Sequence, residues 1–149
     1  MLDIGDAAPE FDHLDQAGER LVLSELLRDG ELIVYFYPAD FTPVCTAEAR
    51  LFRDNCADLD DVGVRVVGVS PQGSTSHQKF SDSYELPFSL LPDVDKELIK
   101  AFGVAGPLGM GVRRVTYLIG QDAVIRNRSV ADVFLGNHSD LIHEVLGEA

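Results

Sequence analysis

The stretch YFYPADFTPVCTAEARLFRDNC, residues 35–56, begins as a strand and ends as a helix. Its first three residues close an apolar and aromatic run, 32–37, the pattern of a strand buried on both faces. Pro38 turns the chain, and a loop leads to Pro43, which suits the first turn of a helix. Thr42 then suits the N-cap, and Cys45 falls in the first turn. Residues 43–59 read as one long helix. Ala47, Leu51, Phe52, Cys56 and Leu59 recur mostly at three- and four-residue spacing and form its buried stripe. Glu48, Arg50, Arg53 and Asp54 fall mostly on other faces.

Working outward, residues 1–23 read as a β arm with apolar Phe11, Leu14, Leu21 and Leu23 about a turn at residues 15–18. Ser24 can cap a short helix, 25–28. Residues 64–69 are a second buried strand, and 75–84 a helix with Ser74 as its cap. Pro87 ends that helix and leads into 88–91; a further helix spans 96–102, and 103–111 is a glycine-rich loop. Strands 114–119 and 124–130 make an antiparallel hairpin, and 138–146 is a terminal helix with Asn137 as a candidate cap. The order β arm, β, α, β, α, α, ββ, α predicts an α/β fold. Parallel crossovers followed by a hairpin give an open mixed sheet with helices on both faces. The length of 149 residues fits one domain, 1–149, without repeats or linkers.

The formal charge of −13, from 12 basic against 25 acidic residues, argues against nucleic acid or an anionic membrane as partner. Only three of the bases are lysine (Lys79, Lys96 and Lys100), a composition that suits a high-salt cytoplasm as well as an ordinary acidic enzyme. No apolar run has the length of a membrane span, and the acidic start lacks the regions of a secretory signal, so a cytoplasmic location is expected. Two cysteines do not make a disulfide scaffold in a chain this long.

A thiol reacts as its thiolate, and an ordinary pKa of about 8.5 leaves only a few per cent ionised at neutral pH. A helix N-terminus offers unpaired N–H groups and partial positive charge, both of which favour thiolate. Cys45 has that advantage, and Thr42, three residues earlier, can aim its hydroxyl at the same space. The same N–H groups can hold an oxygen that gains negative charge. The local sequence leaves a second reading open, Cys45 as a small buried hydrophobe.

The spacing Pro38-x-x-x-Thr42-x-x-Cys45, followed by Thr46-Ala47-Glu48, resembles the peroxiredoxins. So do residues 5–11 (GDAAPEF) and 114–119 (RVTYLI). Lys79-Phe80, then YELPF at 84–88 and LLPD at 90–93, is similar to the bacterioferritin-comigratory or Q-type subgroup. The resemblance spans nearly the whole chain, with its motifs in order. It implies a thioredoxin-like fold with an N-terminal β extension and a thiol-dependent peroxidase acting on hydrogen peroxide or organic hydroperoxides. Cys45 would be the peroxidatic nucleophile, passing through a sulfenic acid. Thr42 would hydrogen-bond the peroxide, and Arg114 would lie beside the thiolate, lowering its pKa and stabilising charge on the moving oxygens. Pro38 would shield the site, the N–H groups of Val44 and Cys45 would complete the pocket, and Glu48 would orient arginine side chains. Strand alternation lets only one of Arg113 and Arg114 reach Cys45, and the motif frame picks Arg114. Pro38 is equally explained as a strand terminator, and Glu48 as a helix-face ion pair.

The chain departs from common Q-type patterns at the resolving cysteine. Many members carry it five residues after the first, where this chain has Arg50; others carry it on the helix at 75–84, which here has Ser81 and Ser83 but no Cys. Cys56 is the only other thiol. Eleven residues of helix separate the two Cα atoms by roughly 16 Å along the axis, and a disulfide needs them within about 7 Å. Cys56 therefore reads as packing, an intermolecular bridge remaining open, and the expected cycle is one-Cys, reduced by an external thiol or thioredoxin-like protein. The expected protein is a monomer or homodimer without a cofactor.

Other chemistry has thinner support. His13, His77, His138 and His143 show no metal-ligand spacing with the cysteines, and a solvated or capping role is expected for them. No Cys-x-x-Cys occurs, which disfavours a dithiol oxidoreductase. A Cys hydrolase would need a paired His in a motif. The rival from another class is a redox-sensing binding module in which oxidation of Cys45 controls a contact with little turnover.

Overall fold

The computed structural model describes residues 1–131 and 136–147. A small antiparallel hairpin, β1 (Asp12–Leu14) and β2 (Arg20–Val22), precedes a short α1 (Leu23–Leu26). The central sheet takes β3 (Glu31–Phe36), β4 (Val64–Ser70), β5 (Ser89–Pro92), β6 (Val115–Ile119) and β7 (Ile125–Val130). Its order is β5-β4-β3-β6-β7. Helix α2 (Pro43–Asp61) crosses from β3 to parallel β4, and α3 (Ser74–Tyr84) from β4 to parallel β5. After α4 (Glu97–Ala101), β6 and β7 run antiparallel, and α5 (Gly136–Val145) follows. This is the mixed sheet flanked by helices that the sequence predicts, with the N-terminal extension.

Alternation along β3 divides the core. Leu32, Val34 and Phe36 face a cluster with Leu98, Ile99 and Phe102 of the α4 region and Phe11 and Leu21 of the arm. Ile33, Tyr35 and Tyr37 face a cluster with Cys45, Ala49 and Phe52 of α2, Phe80 of α3, and Leu141 and Ile142 of α5. The candidate thiol thus lies in the packed layer under α2.

The N-terminal arm fastens both sides of the sheet. Gly5 N–H donates to Ile125 O at 2.8 Å and Ile125 N–H to Asp6 O at 2.9 Å, beside β7. At the other side, Gln16 N–H donates to Leu90 O at 2.9 Å and Ser89 Oγ donates to Asp15 Oδ2 at 2.8 Å, beside β5. Such contacts satisfy edge groups that would otherwise invite pairing with another chain.

Several local expectations change. The stretch at 88–91, to which the sequence reading gives no element, contributes strand β5. Leu14 is 54% exposed, because β1 pairs only with β2 and its side chains mostly face outward. Ala47 is exposed and Glu48 fully buried, the reverse of the predicted faces of α2. Serines 24 and 74 cap nothing: Val22 and Gly73 hold the N-cap positions, and both serines lie inside their helices. Asn137 lies within α5 and donates to Val130 O at 2.7 Å. No described helix is long and apolar enough to cross a membrane.

Phe52 is fully buried and stacks on Tyr35 with ring centroids 4.5 Å apart. Phe52→Ala should cost about 3–5 kcal/mol by urea denaturation; a loss under about 1 kcal/mol would show that this layer is loosely packed.

Candidate active site

The loop 37–42 joins the C-terminal end of β3 to α2. Phe41 has φ 65°, left-handed backbone that costs a non-glycine residue about 1 kcal/mol or more and needs surrounding contacts to hold it. Thr42 returns to extended backbone at φ −75°, ψ 150°, and Pro43 opens the helix. Thr46 N–H makes the first helical bond, to Thr42 O at 2.8 Å, so the N–H groups of Val44 and Cys45 have no intrahelical acceptor. Thr42 sits at the predicted N-cap position, yet its hydroxyl donates to Ala39 O at 3.0 Å and makes no cap.

Sheet register brings the arginine to the thiol. Phe36 pairs with Val115, so Arg114, one residue before β6, continues beyond the end of β3, where the loop starts. Thr116 and Leu118 point toward α2 and α5, and Arg114 shares their parity. Its Nη1 donates to Cys45 Sγ at 3.1 Å and to Glu48 Oε1 at 3.0 Å. Cys45 is 1% exposed, Glu48 0% and Arg114 7%. Burial by itself pulls the Arg114 pKa down, but Glu48 and the Cys45 sulfur more than offset it and raise it. The guanidinium is therefore a fixed positive charge against the sulfur.

Glu48 follows Cys45 by three residues and shares its helix face. Its second oxygen, Oε2, lies 2.8 Å from His138 Nε2. His138 is fully buried, with Nδ1 2.8 Å from Ser129 Oγ and Nε2 3.1 Å from Thr116 Oγ1. Thr116 and Ser129 are cross-strand partners on β6 and β7. The Nε2 hydrogen bond runs to Thr116 Oγ1, and Glu48 Oε2 meets the ring at ion-pair distance without hydrogen-bond alignment. Cys45, Arg114, Glu48 and His138 thus form one buried chain from α2 through the sheet to α5.

A second buried group lies on the other side of the loop. Asp40 accepts from Tyr37 Oη at 2.7 Å, Ser76 Oγ at 2.8 Å and His77 Nδ1 at 2.6 Å. Burial first, then neighbouring negative charge, pushes the Tyr37 phenol well above its ordinary range, so it stays a neutral donor.

The structure therefore brings together Cys45, Arg114 and Glu48, with Val44 in the same first turn and Pro38, half-buried, at the start of the loop. Thr42 is three residues before the thiol and exposed. His138 is no solvated or capping residue, and His77 is equally buried; both are corrections. A signal for His138 was present: positions 138, 141, 142 and 145 form one apolar helical stripe. Asp40 and His77 are 37 residues apart, and no local pattern links them. Among the described residues, no three His, Cys, Asp or Glu side chains converge as a metal site.

The AhpC/TSA family pattern matches residues 4–128. The chain is 39% identical over 130 residues to a putative peroxiredoxin bcp of Coxiella burnetii, covering 83% of this chain and 85% of that one. It is 39% identical over 123 residues to the chloroplastic peroxiredoxin Q of Oryza sativa subsp. japonica, covering 82% of this chain and 56% of that protein, so it spans little more than half of the rice relative. Among solved structures, the peroxidoxin BcpB of Mycobacterium tuberculosis superposes with a TM-score of 0.90 at 32% identity, covering 99% of this chain and 97% of that one. A cysteine-to-serine mutant of the PrxQ of Xylella fastidiosa superposes with a TM-score of 0.90 at 26% identity, with the same 99% and 97% coverage.

Cys56, half-buried on α2, differs in environment from Cys45. Burial, then Asp60, pushes its thiol pKa up. A raised thiol pKa means less thiolate at any pH below it, so Cys56 should be alkylated by iodoacetamide near neutral pH more slowly than a free cysteine. Peptide mapping against a small free thiol checks this; labelling of Cys56 as fast as that thiol would contradict it.

Proposed function

The chain belongs to the AhpC/TSA family and is a peroxiredoxin, a thiol-dependent peroxidase; from that premise we propose that Cys45 is its peroxidatic thiol and that an external thiol completes the cycle. The observation that carries the assignment is the Arg114 Nη1 to Cys45 Sγ contact of 3.1 Å at a helix N-terminus. It provides fixed positive charge and two unclaimed N–H groups where a thiolate and a peroxide oxygen meet.

In the proposed first step the thiolate attacks one peroxide oxygen. The S–O bond forms as the O–O bond breaks, sulfur gives up two electrons, and the hydroxyl stays on Cys45 as a sulfenic acid. The alkoxide or hydroxide leaves and takes a proton from solvent. The Val44 and Cys45 N–H groups and Arg114 stabilise the oxygens as charge moves onto them, and the Thr42 hydroxyl, whose proton goes to Ala39 O, accepts from the peroxide O–H. Glu48 holds Arg114, and His138 holds Glu48. Pro38 shields the start of the loop. In the second step an external thiol attacks the sulfenic sulfur and water leaves; a second thiol, free or within a thioredoxin-like partner, releases Cys45 and carries away the disulfide.

Hydrogen peroxide and organic hydroperoxides both fit. Phe41 and Val44, 48% and 37% exposed beside the thiol, offer apolar surface to an alkyl group. The bacterioferritin comigratory protein of Xanthomonas campestris, 27% identical with a TM-score of 0.84, has been described for alkyl peroxide reduction. Every residue invoked comes from one chain, so the proposal holds for a monomer or a homodimer. An external-thiol cycle calls for a reducing compartment, which we take to be the cytoplasm, and the charge of −13 with three lysines suits a salt-rich one. The same charge disfavours nucleic acid and anionic membranes as partners.

Cys45→Ser should abolish peroxide consumption with circular dichroism unchanged, and Arg114→Ala should slow oxidation by about a hundredfold or more. Retained turnover in the first variant would refute the assignment. Intact mass after one equivalent of hydrogen peroxide should show oxygen on Cys45 in a monomeric chain, with steady consumption once a thiol donor is added. A Cys45–Cys56 disulfide would overturn the external-thiol cycle, and oxidation without turnover with any donor would make the protein a sensor.

A further inference from the structure

The loop that carries the thiol is tied to α3 by a buried polar group. Asp40 lies midway between Pro38 and Thr42 and is 5% exposed. Its carboxylate accepts from Ser76 and His77 of α3 and from Tyr37 at the end of β3. The His77 and Asp40 side chains are both fully buried. His77 Nε2 lies 3.2 Å from Leu91 O, so both ring nitrogens face acceptors. The Asp40 N–H also donates to Gln72 Oε1, in the segment before α3. Beside it, the Phe41 ring packs on Phe80 and Tyr84 of α3, at centroid distances of 5.2 and 6.3 Å. These contacts hold Phe41 in its left-handed conformation and set where Thr42 and the first turn of α2 begin.

We infer that His77, acting through Asp40, is a positioning residue for the Cys45 loop, holding it in the shape that reacts with peroxide and resisting the opening that lets a bulky thiol reach the oxidised sulfur. The inference rests on the reading of Cys45 as the peroxidatic thiol. The two half-reactions place opposite demands on the loop. Peroxide is small and needs Thr42 and the Val44 and Cys45 N–H groups in register. A resolving thiol must bring its own sulfur into contact with Cys45, which is 1% exposed beneath that loop. Opening the loop strips a buried carboxylate and a buried imidazole of their shared hydrogen bond, a costly loss in a dry site. The clasp thus favours the first half-reaction at the expense of the second.

Substitution at His77 separates this role from general stability. His77→Gln keeps an amide within reach of Leu91 O but removes the donor facing Asp40, whereas His77→Asn keeps a donor at the place of Nδ1. In rapid-quench mass spectrometry, His77→Gln should oxidise with hydrogen peroxide about tenfold or more slowly, the scale on which a misplaced reacting group loses rate. Its preformed sulfenic acid should react several-fold faster with 5-thio-2-nitrobenzoate, used as a bulky monothiol. His77→Asn should return both rates most of the way to the parent values. Ser76→Ala, at a half-buried position that tolerates the change, should shift both rates in the same opposite directions by less, and it carries the test if His77→Gln does not fold. Slowing of both half-reactions together, unchanged rates, or no recovery in His77→Asn would overturn the inference. Failure of the unsubstituted protein to oxidise at Cys45 would instead refute the underlying assignment, and it would be seen before any variant is compared.

Discussion

A buried guanidinium is stable only beside negative charge that offsets its lost hydration. Arg114, 7% exposed, meets that condition through Glu48 at 3.0 Å and the Cys45 sulfur at 3.1 Å. Both contacts come from one nitrogen, so the position of Glu48 decides where the charge sits relative to the sulfur. Glu48 is itself fully buried, and its second oxygen packs 2.8 Å from His138 Nε2 of α5. The chain of contacts passes on to the cross-strand pair Thr116 and Ser129, which receives the histidine. The terminal helix therefore contributes to the geometry of a thiol that lies more than ninety residues earlier in the chain.

The sheet supplies the rest of that geometry. The antiparallel pairing of β3 with β6 ends at Phe36 and Val115, which leaves Arg114 and the start of the loop at the same end of the sheet. A slip by one residue would turn Arg114 to the other face and bring Arg113 or Val115 toward α2 instead. Register is specified because β3 and β6 are buried on both faces, with Tyr117 and Phe36 packing in one layer and Leu118 and Tyr35 in the other. The site thus inherits its precision from core packing, and the loop adds local strain at Phe41 that α3 holds in place.

What is legible in the sequence is what period and punctuation report. Pro38 and Pro43 bracket the loop, the aromatic run marks the central strand, and the start of α2 puts Cys45 in its first turn. Alternation reduces Arg113 and Arg114 to one candidate on the α2 side. Sorting by residue type fails where polar groups are buried in pairs. It sends Glu48 to an outer face because its partners, Arg114 and His138, lie 66 and 90 residues away. Asp40 and His77 carry no signal at all, since the turn of the loop onto α3 is a tertiary event. The caps expected at Ser24 and Ser74 fail for a local reason: each helix starts earlier than its serine would require, with Val22 or Gly73 in the extended conformation that precedes it.

The same geometry bears on how the oxidised thiol is released. A partner cysteine on α2 must lie close enough for the first turn to unwind toward it, and Cys56 is three helical turns along, half-buried, with its thiol pushed away from the reactive form. A partner on α3 would have to replace contacts at the loop, and the described face of α3 there is occupied by His77, Ser76 and Phe80 holding Asp40 and Phe41. A segment whose opening would strand a buried carboxylate and imidazole is poorly suited to large rearrangement in each turnover. An external thiol asks less of it, because the incoming sulfur needs access to one atom and no second cysteine has to be carried across the fold. The polar clasp and the lack of a cysteine at position 50 or within 75–84 both suit the proposed external-thiol cycle, in which the loop would stay close to its peroxide-reactive shape.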